Sequence, residues 1–345
     1  MSLHSEILEQ PQIIKQLFSN QRNIIEEVAQ EINKKHIPFV FLAARGTSDN
    51  AGRYANYLLG IDNGIVVAPA TPSLFTYYQS HLHLNNALVI GISQSGQSPD
   101  VVSVLTEGQK QNSITIAITN VPNSPLGRSA DFILEMQAGY EGAVAATKTY
   151  TSELMIIAML SAALRGDNKA WVELEQVSSW VDQILKLDSY IGEITQRFRF
   201  MEQCVVIGRG YNYSTAFEWA LKLKELTYIG AEAYSSADFM HGPIAIVNGG
   251  FPVLAVSPTG MVNPSMFETM FQLKNELDAE LVVISNDSKT LDLADIGVEI
   301  PSEIPEWLSP IVSIVAGQLF AYHLTCLKGL NPEQPRIIRK VTETN

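Results

Sequence analysis

One series of landmarks occurs twice in this chain, and that repetition constrains the fold more than any other feature. Strand-like runs alternate with helix-like runs along nearly the whole length, the pattern of an α/β protein with parallel sheets. Phe39-Val-Phe-Leu-Ala-Ala44 followed by Arg45-Gly46-Thr47-Ser48 returns as Cys204-Val-Val-Ile-Gly208 followed by Arg209-Gly210-Tyr211-Asn212, an offset of about 164 residues. Ile90-Gly-Ile-Ser93-Gln94-Ser95-Gly96 returns as Leu254-Ala-Val-Ser257-Pro258-Thr259-Gly260 at the same offset. Ile116-Ala-Ile-Thr119-Asn120 returns as Val282-Val-Ile-Ser285-Asn286, two residues further on. Three landmarks in one order at one spacing predict two tandem doubly wound parallel-sheet units. Their expected limits are residues 32–166 and 197–330. A helical segment, residues 1–31, precedes them, and residues 167–196, with Trp171, Leu174, Val177, Trp180, Val181, Ile184 and Leu185 at helical spacing, form a connecting helix. Residues 331–345 remain as a C-terminal tail.

The run Ala87-Leu-Val-Ile-Gly-Ile92 lacks polar alternation, as a parallel strand covered on both faces should. It breaks into Ser93, Gln94, Ser95, Gly96, Gln97 and Ser98, and a helix begins at Pro99-Asp100. An anion there meets free N–H groups, three hydroxyls and the positive end of a helix dipole, so a phosphate is held without Lys or Arg in the loop. Ligands of open α/β sheets bind beyond the carboxyl ends of the strands at the switch in strand order. That rule brings residues 46–50 and 93–98 to one crevice. In the second copy Pro258 removes an N–H and the carboxamide is lost, which leaves the first copy as the phosphate holder.

Composition narrows the partners. The formal net charge is −13, which argues against nucleic acid or an anionic membrane surface. Residues 1–12 carry Glu6, Glu9 and Gln10 with no apolar core, so neither a signal peptide nor an anchor is expected. Two cysteines, Cys204 and Cys326, form no metal-type or redox-type pair; both are expected to be buried thiols in a cytoplasmic protein. The six histidines are scattered, and the His81-Leu-His83 pair reads as a polar loop, so no metal site is expected.

Lys222 and Glu225 stand three apart on one face of a helix-forming run, the spacing of a surface ion pair or of paired catalytic groups. His241 precedes Gly242-Pro243, which fixes the backbone and projects the ring from a turn; taken alone it fits a structural and a catalytic role equally. Lys340 lies near the chain end, where a solvated lysine is the ordinary case, but Gln334-Pro335-Arg336 can lay such a tail across the crevice.

Glu6-Ile-Leu-Glu9-Gln10-Pro11, Arg45-Gly-Thr-Ser48, Ser93-Gln-Ser-Gly96, Val144-Ala-Ala146-Thr147-Lys148, Leu221-Lys-Leu-Lys-Glu225, Glu232-Ala-Tyr234, His241-Gly-Pro243 and Gln334-Pro-Arg336 with Lys340 resemble, in order, the isomerase half of glucosamine-6-phosphate synthase. That half consists of two SIS (sugar isomerase) domains. The resemblance implies that Thr47, Ser48, Ser93, Gln94, Ser95 and Ser98 bind the sugar phosphate and hydroxyls, and that Val144 and Ala146 line the pocket. It implies Glu225 as the base between C1 and C2, His241 as the ring-opening group supplied by the neighbouring subunit of a homodimer, Lys340 as the amine that engages the sugar carbonyl, and Lys222 as support for the open-chain hydroxyls or the proton relay. No metal or nucleotide cofactor is implied.

Departures from the synthase point elsewhere within the family. No glutaminase domain is expected ahead of the matched region; Ala146 stands for serine, Gly230 for histidine, Arg339 for alanine, and Ser98 for threonine. Asp49, Pro99, Asp100 and Lys340-Val-Thr-Glu-Thr344 are similar to the stand-alone SIS-type glucosamine-6-phosphate deaminases. The expected reaction is glucosamine 6-phosphate to fructose 6-phosphate and ammonia. The alternatives are another phosphosugar amine such as a fructosyl-amino-acid phosphate, an isomerase subunit fed by a separate glutaminase, and a sugar-phosphate sensor without catalysis.

Overall fold

The computed structural model describes residues 2–338 and Lys340. Its ten strands form two five-stranded sheets in which every pairing is parallel. The first sheet contains β1 (Phe39–Ala43), β2 (Val66–Pro69), β3 (Leu88–Ile92), β4 (Ile114–Thr119) and β5 (Phe132–Glu135), in the order β2-β1-β3-β4-β5. The second contains β6 (Gln203–Gly208), β7 (Gly230–Ser235), β8 (Pro252–Val256), β9 (Glu280–Ser285) and β10 (Ile296–Glu299), in the order β10-β9-β8-β6-β7. Read from its other edge this is the same order, so both copies are doubly wound with the switch point between their first and third strands.

The repetition extends to single hydrogen bonds. Ser93 N–H donates to the Ile118 carbonyl at 3.1 Å, and Ser257 N–H to that of Ile284 at 3.0 Å. Asp131 accepts the Thr115 N–H and Asp295 that of Leu281, each at 2.9 Å. Every residue of β3 and β4 is buried, which explains why their apolar runs do not alternate.

The chain divides into two compact units. One comprises residues 12–141 and 148–176 with Lys340, and holds the first sheet; the other comprises residues 2–11, 142–147 and 177–338, and holds the second. The first has a core of Phe41, Val89, Val101, Leu105, Ala117 and Leu126 between sheet and helices. The second has one of Val205, Ile207, Phe239, Met270, Leu281 and Val283. Residues 167–196 run mainly through the helices Asn168–Leu185 and Asp188–Ile194, and the N-terminal stretch forms helices Leu3–Leu8 and Gln10–Asn33.

In the second unit, Glu306–Leu327 is long and apolar enough to cross a membrane by length and composition, yet most of it is buried inside the protein. The helix Ser309–Leu327 packs against the helices Tyr213–Thr227 and Asp188–Ile194, as a core helix does. Cys204 is buried in β6 as expected, and burial pushes its thiol up to about 12 although Lys224 opposes this. Cys326 is exposed, contrary to expectation. It lies in the last turn of the helix Ser309–Leu327, where the buried stretch ends.

Candidate active site

In the first unit, β1 and β3 are neighbours, so the loops that follow them lie at one end of the sheet. Gly96 turns the second loop with φ of 62°, and a Cβ there would overlap the Ser124 hydroxyl. Only glycine meets both conditions. The Ser93 hydroxyl accepts the Gly96 N–H at 3.2 Å, and the Ser95 hydroxyl accepts that of Gln97 at 3.3 Å. Ser98 is the N-cap of the helix Pro99–Lys110, with Pro99 at the first helical position, yet its hydroxyl makes no cap bond. The first N–H groups of that helix therefore keep their affinity for an anion. Gln94 and Ser95 are half-buried, and Ser93 is buried at the end of β3.

Thr47 opens the helix Thr47–Asn63 and is half-buried. Ser48 is buried and donates its hydroxyl proton to Glu153 at 2.7 Å, so toward a ligand it offers lone pairs and an N–H rather than its O–H. Arg45 and Asp100, which flank the two loops in sequence, form an ion pair. Asp100, 3% exposed, receives the Arg45 Nε at 3.0 Å and Nη2 at 2.6 Å. A carboxylate in the first turn of this helix would repel a phosphate, and the guanidinium cancels that charge while fixing the start of the helix.

Lys340 also belongs to the first unit. Its Nζ lies 2.5 Å from Glu141, whose buried carboxylate further accepts the Thr149 N–H and hydroxyl at 3.1 and 2.8 Å. The amine is thus held by a buried carboxylate. Arg339 and residues 341–345 lie outside the described residues.

The second unit carries Lys222, Glu225, His241, Val144 and Ala146. Lys222 is 1% exposed in the helix Tyr213–Thr227, with Nζ 3.2 Å from Glu218 and 2.6 Å from Glu225. This is not a solvated ion pair. Burial alone favours the neutral amine, but the two carboxylates outweigh it and hold the Lys222 pKa above the ordinary lysine range. Glu218 is fully buried, whereas Glu225 keeps a quarter of its side chain exposed, so Glu225 is the carboxylate that a substrate can reach. Glu218 escaped the sequence reading; the signal was its place four residues before Lys222 on the same helical face.

His241 caps the C-terminus of the helix Ser236–Met240 and is exposed. Val144 and Ala146 are half-exposed while Ala143, Ala145 and Thr147 are buried, so the segment presents alternate residues outward. It is pinned by two groups not anticipated from sequence. The buried Glu6 carboxylate accepts the N–H groups of Gly142 at 2.6 Å and Ala143 at 3.3 Å, and Gln318 donates to the Thr147 carbonyl at 3.3 Å.

The second unit's own switch-point loop is closed by the chain itself. Glu306 accepts the Met261 N–H at 2.9 Å and Asn286 that of Thr259 at 2.7 Å. Donors that could face a phosphate are thus already satisfied by a carboxylate and a carboxamide.

Comparisons with known proteins also find one kind of segment twice in the chain. The model of the SIS domain matches residues 32–163 and again 200–328. A glutamine–fructose-6-phosphate aminotransferase (isomerizing) of Thermococcus kodakarensis is 37% identical over 345 residues, covering 97% of this chain and 56% of that protein. The chain therefore spans about half the length of the curated relatives it matches. Among solved structures, the C-terminal domain of glucosamine-fructose-6-phosphate aminotransferase from Francisella tularensis superposes with a TM-score of 0.87 at 30% identity, covering 96% of this chain and 98% of that one. A glucosamine-6-phosphate deaminase from Thermotoga maritima shares the fold, with a TM-score of 0.80 at 21% identity over the full length of both chains. With two matched segments that together take up well over half of its length, the chain belongs to the SIS domain family.

Proposed function

We propose that this chain interconverts an aldose and a ketose phosphate at an amino-bearing carbon, taking glucosamine 6-phosphate and water to fructose 6-phosphate and ammonia. The observation that supports this reading is the buried Lys222 between Glu218 and Glu225. A buried ion of this kind costs stability, which a purely binding domain has no reason to bear. Thr47, Ser48, Ser93, Gln94, Ser95 and Ser98 take the phosphate and neighbouring hydroxyls. His241, which we assign to act from a second copy of the chain in a homodimer, moves a proton from the anomeric hydroxyl to the ring oxygen and opens the ring. Glu225 then removes the proton from C2, and the electron pair moves into an enol-amine while the C1 carbonyl becomes a hydroxyl. Returning the proton to C1 leaves an imine at C2; water adds there and ammonia departs. Lys222 fixes Glu225 and its charge, and Lys340, once free of Glu141, engages the sugar carbonyl.

The names of the relatives favour a second reading, in which the same proton transfer runs toward amino sugar with ammonia delivered by a glutaminase. Both are tested by incubating the purified chain with glucosamine 6-phosphate and measuring ammonia and ketose, then with fructose 6-phosphate, glutamine and a glutaminase. Ammonia release in the first assay supports the deaminase. Product only in the second supports the glutaminase-fed isomerase. Tight binding with turnover in neither refutes catalysis and leaves the sensor.

A further inference from the structure

His4, Asp188 and His323 lie far apart along the chain, yet the second unit brings them together. The Nε2 atoms of the two imidazoles converge on one carboxylate, His4 on Oδ2 at 2.9 Å and His323 on Oδ1 at 2.6 Å. All three donor atoms lie within 4.8 Å of one another, and each side chain is about a quarter exposed. The set is dry enough to be ordered and open enough for an ion to enter.

The rings are held in place. His4 stacks on Tyr322 with centroids 4.6 Å apart and planes 6° from parallel. His323 sits over Gly192, where its Nδ1 would stand only 3.1 Å from a Cβ. Asp188 is fixed at the start of the helix Asp188–Ile194. Each ligand thus comes from a different helix, with Nε2 already the inward-facing nitrogen.

We propose that His4, Asp188 and His323 form a site for a borderline transition-metal dication of the Zn2+ class, completed by water. Two imidazoles and a carboxylate suit such an ion, whereas Mg2+ and Ca2+ prefer all-oxygen shells. In a tetrahedral shell with bonds of about 2.05 Å, neighbouring ligand atoms stand about 3.3 Å apart, so the N···O spacings of 2.9 and 2.6 Å open by about 0.4 and about 0.7 Å, within a set of donor atoms no more than 4.8 Å apart. The ion replaces the protons now shared between the imidazoles and the carboxylate.

The site has a structural consequence because of what else its first helix does. The helix Leu3–Leu8 has six residues, too few to persist alone. Its N-terminus is tied by the Leu3 N–H to Glu333, at 2.9 and 3.0 Å to the two oxygens. From the same helix, Glu6 pins Gly142 and Ala143 and so sets the segment that presents Val144 and Ala146. Metal at His4 would clamp this helix and hold the pinned segment still.

The test uses the full chain after chelator treatment and dialysis, with Zn2+ as the probe. One equivalent should bind, raise the melting temperature and be lost to Mg2+ exchange only at large excess. His4→Ala and His323→Ala should each weaken Zn2+ binding by about tenfold or more, a loss at least as large as that of a metal site's outer partners. A reading that needs no variant is the NMR spectrum of histidine-labelled wild-type protein. Two of the six imidazoles should move on Zn2+ addition, and they should be the two whose signals vanish in the variants. No Zn2+ binding, or binding and spectral shifts that survive His4→Ala, would overturn the proposal and leave a hydrogen-bonded clasp.

Discussion

Replacing Lys222 by Met keeps the length of the buried stem and removes only the charge. The ammonium stands 2.6 Å from Glu225 and 3.2 Å from Glu218. At an effective dielectric of about 20, these separations correspond to attractions of about 6 and about 5 kcal/mol before desolvation is charged against them. The net loss is smaller, but it includes taking the Lys222 ammonium from the fully buried Glu218, and breaking a buried pair from one side costs about 3–5 kcal/mol. Exposed pairs at helical spacing seldom exceed about 1 kcal/mol. Alkylation of Cys204 across a urea series reports the result, because that thiol is buried in the same unit and reacts only on opening. The effect of pH sharpens the test. In the wild type the Lys222 pKa is raised, so its contribution is complete below the ordinary lysine range and fades only as pH climbs through the higher folded value. In the variant, the buried Glu218 carboxyl has lost the Lys222 ammonium, which favours its protonated form. The deficit should therefore be small in acid and grow as pH rises toward neutrality, and Glu218→Gln in the same chain should restore part of it. A loss below about 1 kcal/mol with no pH trend would refute the argument and return Lys222 to the status of a surface ion.

Glu225→Gln should abolish turnover, while a non-reacting sugar phosphate still binds within a few-fold of wild type; equal loss of both would contradict the assignment of the proton transfer to Glu225. Gly96→Ala forces a side chain into the left-handed region at a cost of about 1–2 kcal/mol and drives it against Ser124, so KM should rise well before kcat changes; an unchanged KM would disconnect the loop from the phosphate. Iodoacetamide at neutral pH should modify the exposed Cys326 and spare Cys204, whose thiol is raised to about 12 chiefly by burial, as peptide mapping would show; labelling of native Cys204 would mean that β6 opens readily.

The doubly wound class and the position of the serine-rich loop were legible because they depend on local signals repeated at one spacing. Apolar runs without alternation mark buried parallel strands, and Ser98 before Pro99 marks a helix start. Long-range pairings carry no such mark. Nothing near Glu6 announces that its carboxylate will hold Gly142, and Asp188 gives no hint of two histidines more than a hundred residues away on either side. The Lys222 cluster lies between these cases. Its helical spacing was visible, but spacing cannot tell a wet face from a dry one, and burial decided the matter. Lys340 was singled out from its motif, whereas its pairing with Glu141 required the folded chain.

Glu306 has a consequence for counting. Because it is part of the same chain, its carboxylate is present at the second loop at a fixed high local concentration that no dissolved phosphate can match. A protein with two copies of a phosphate-binding architecture should therefore saturate at one sugar phosphate per chain. The twofold repeat of the fold is thereby broken into a single-site stoichiometry, and the second copy's switch point is free of any duty to bind a ligand.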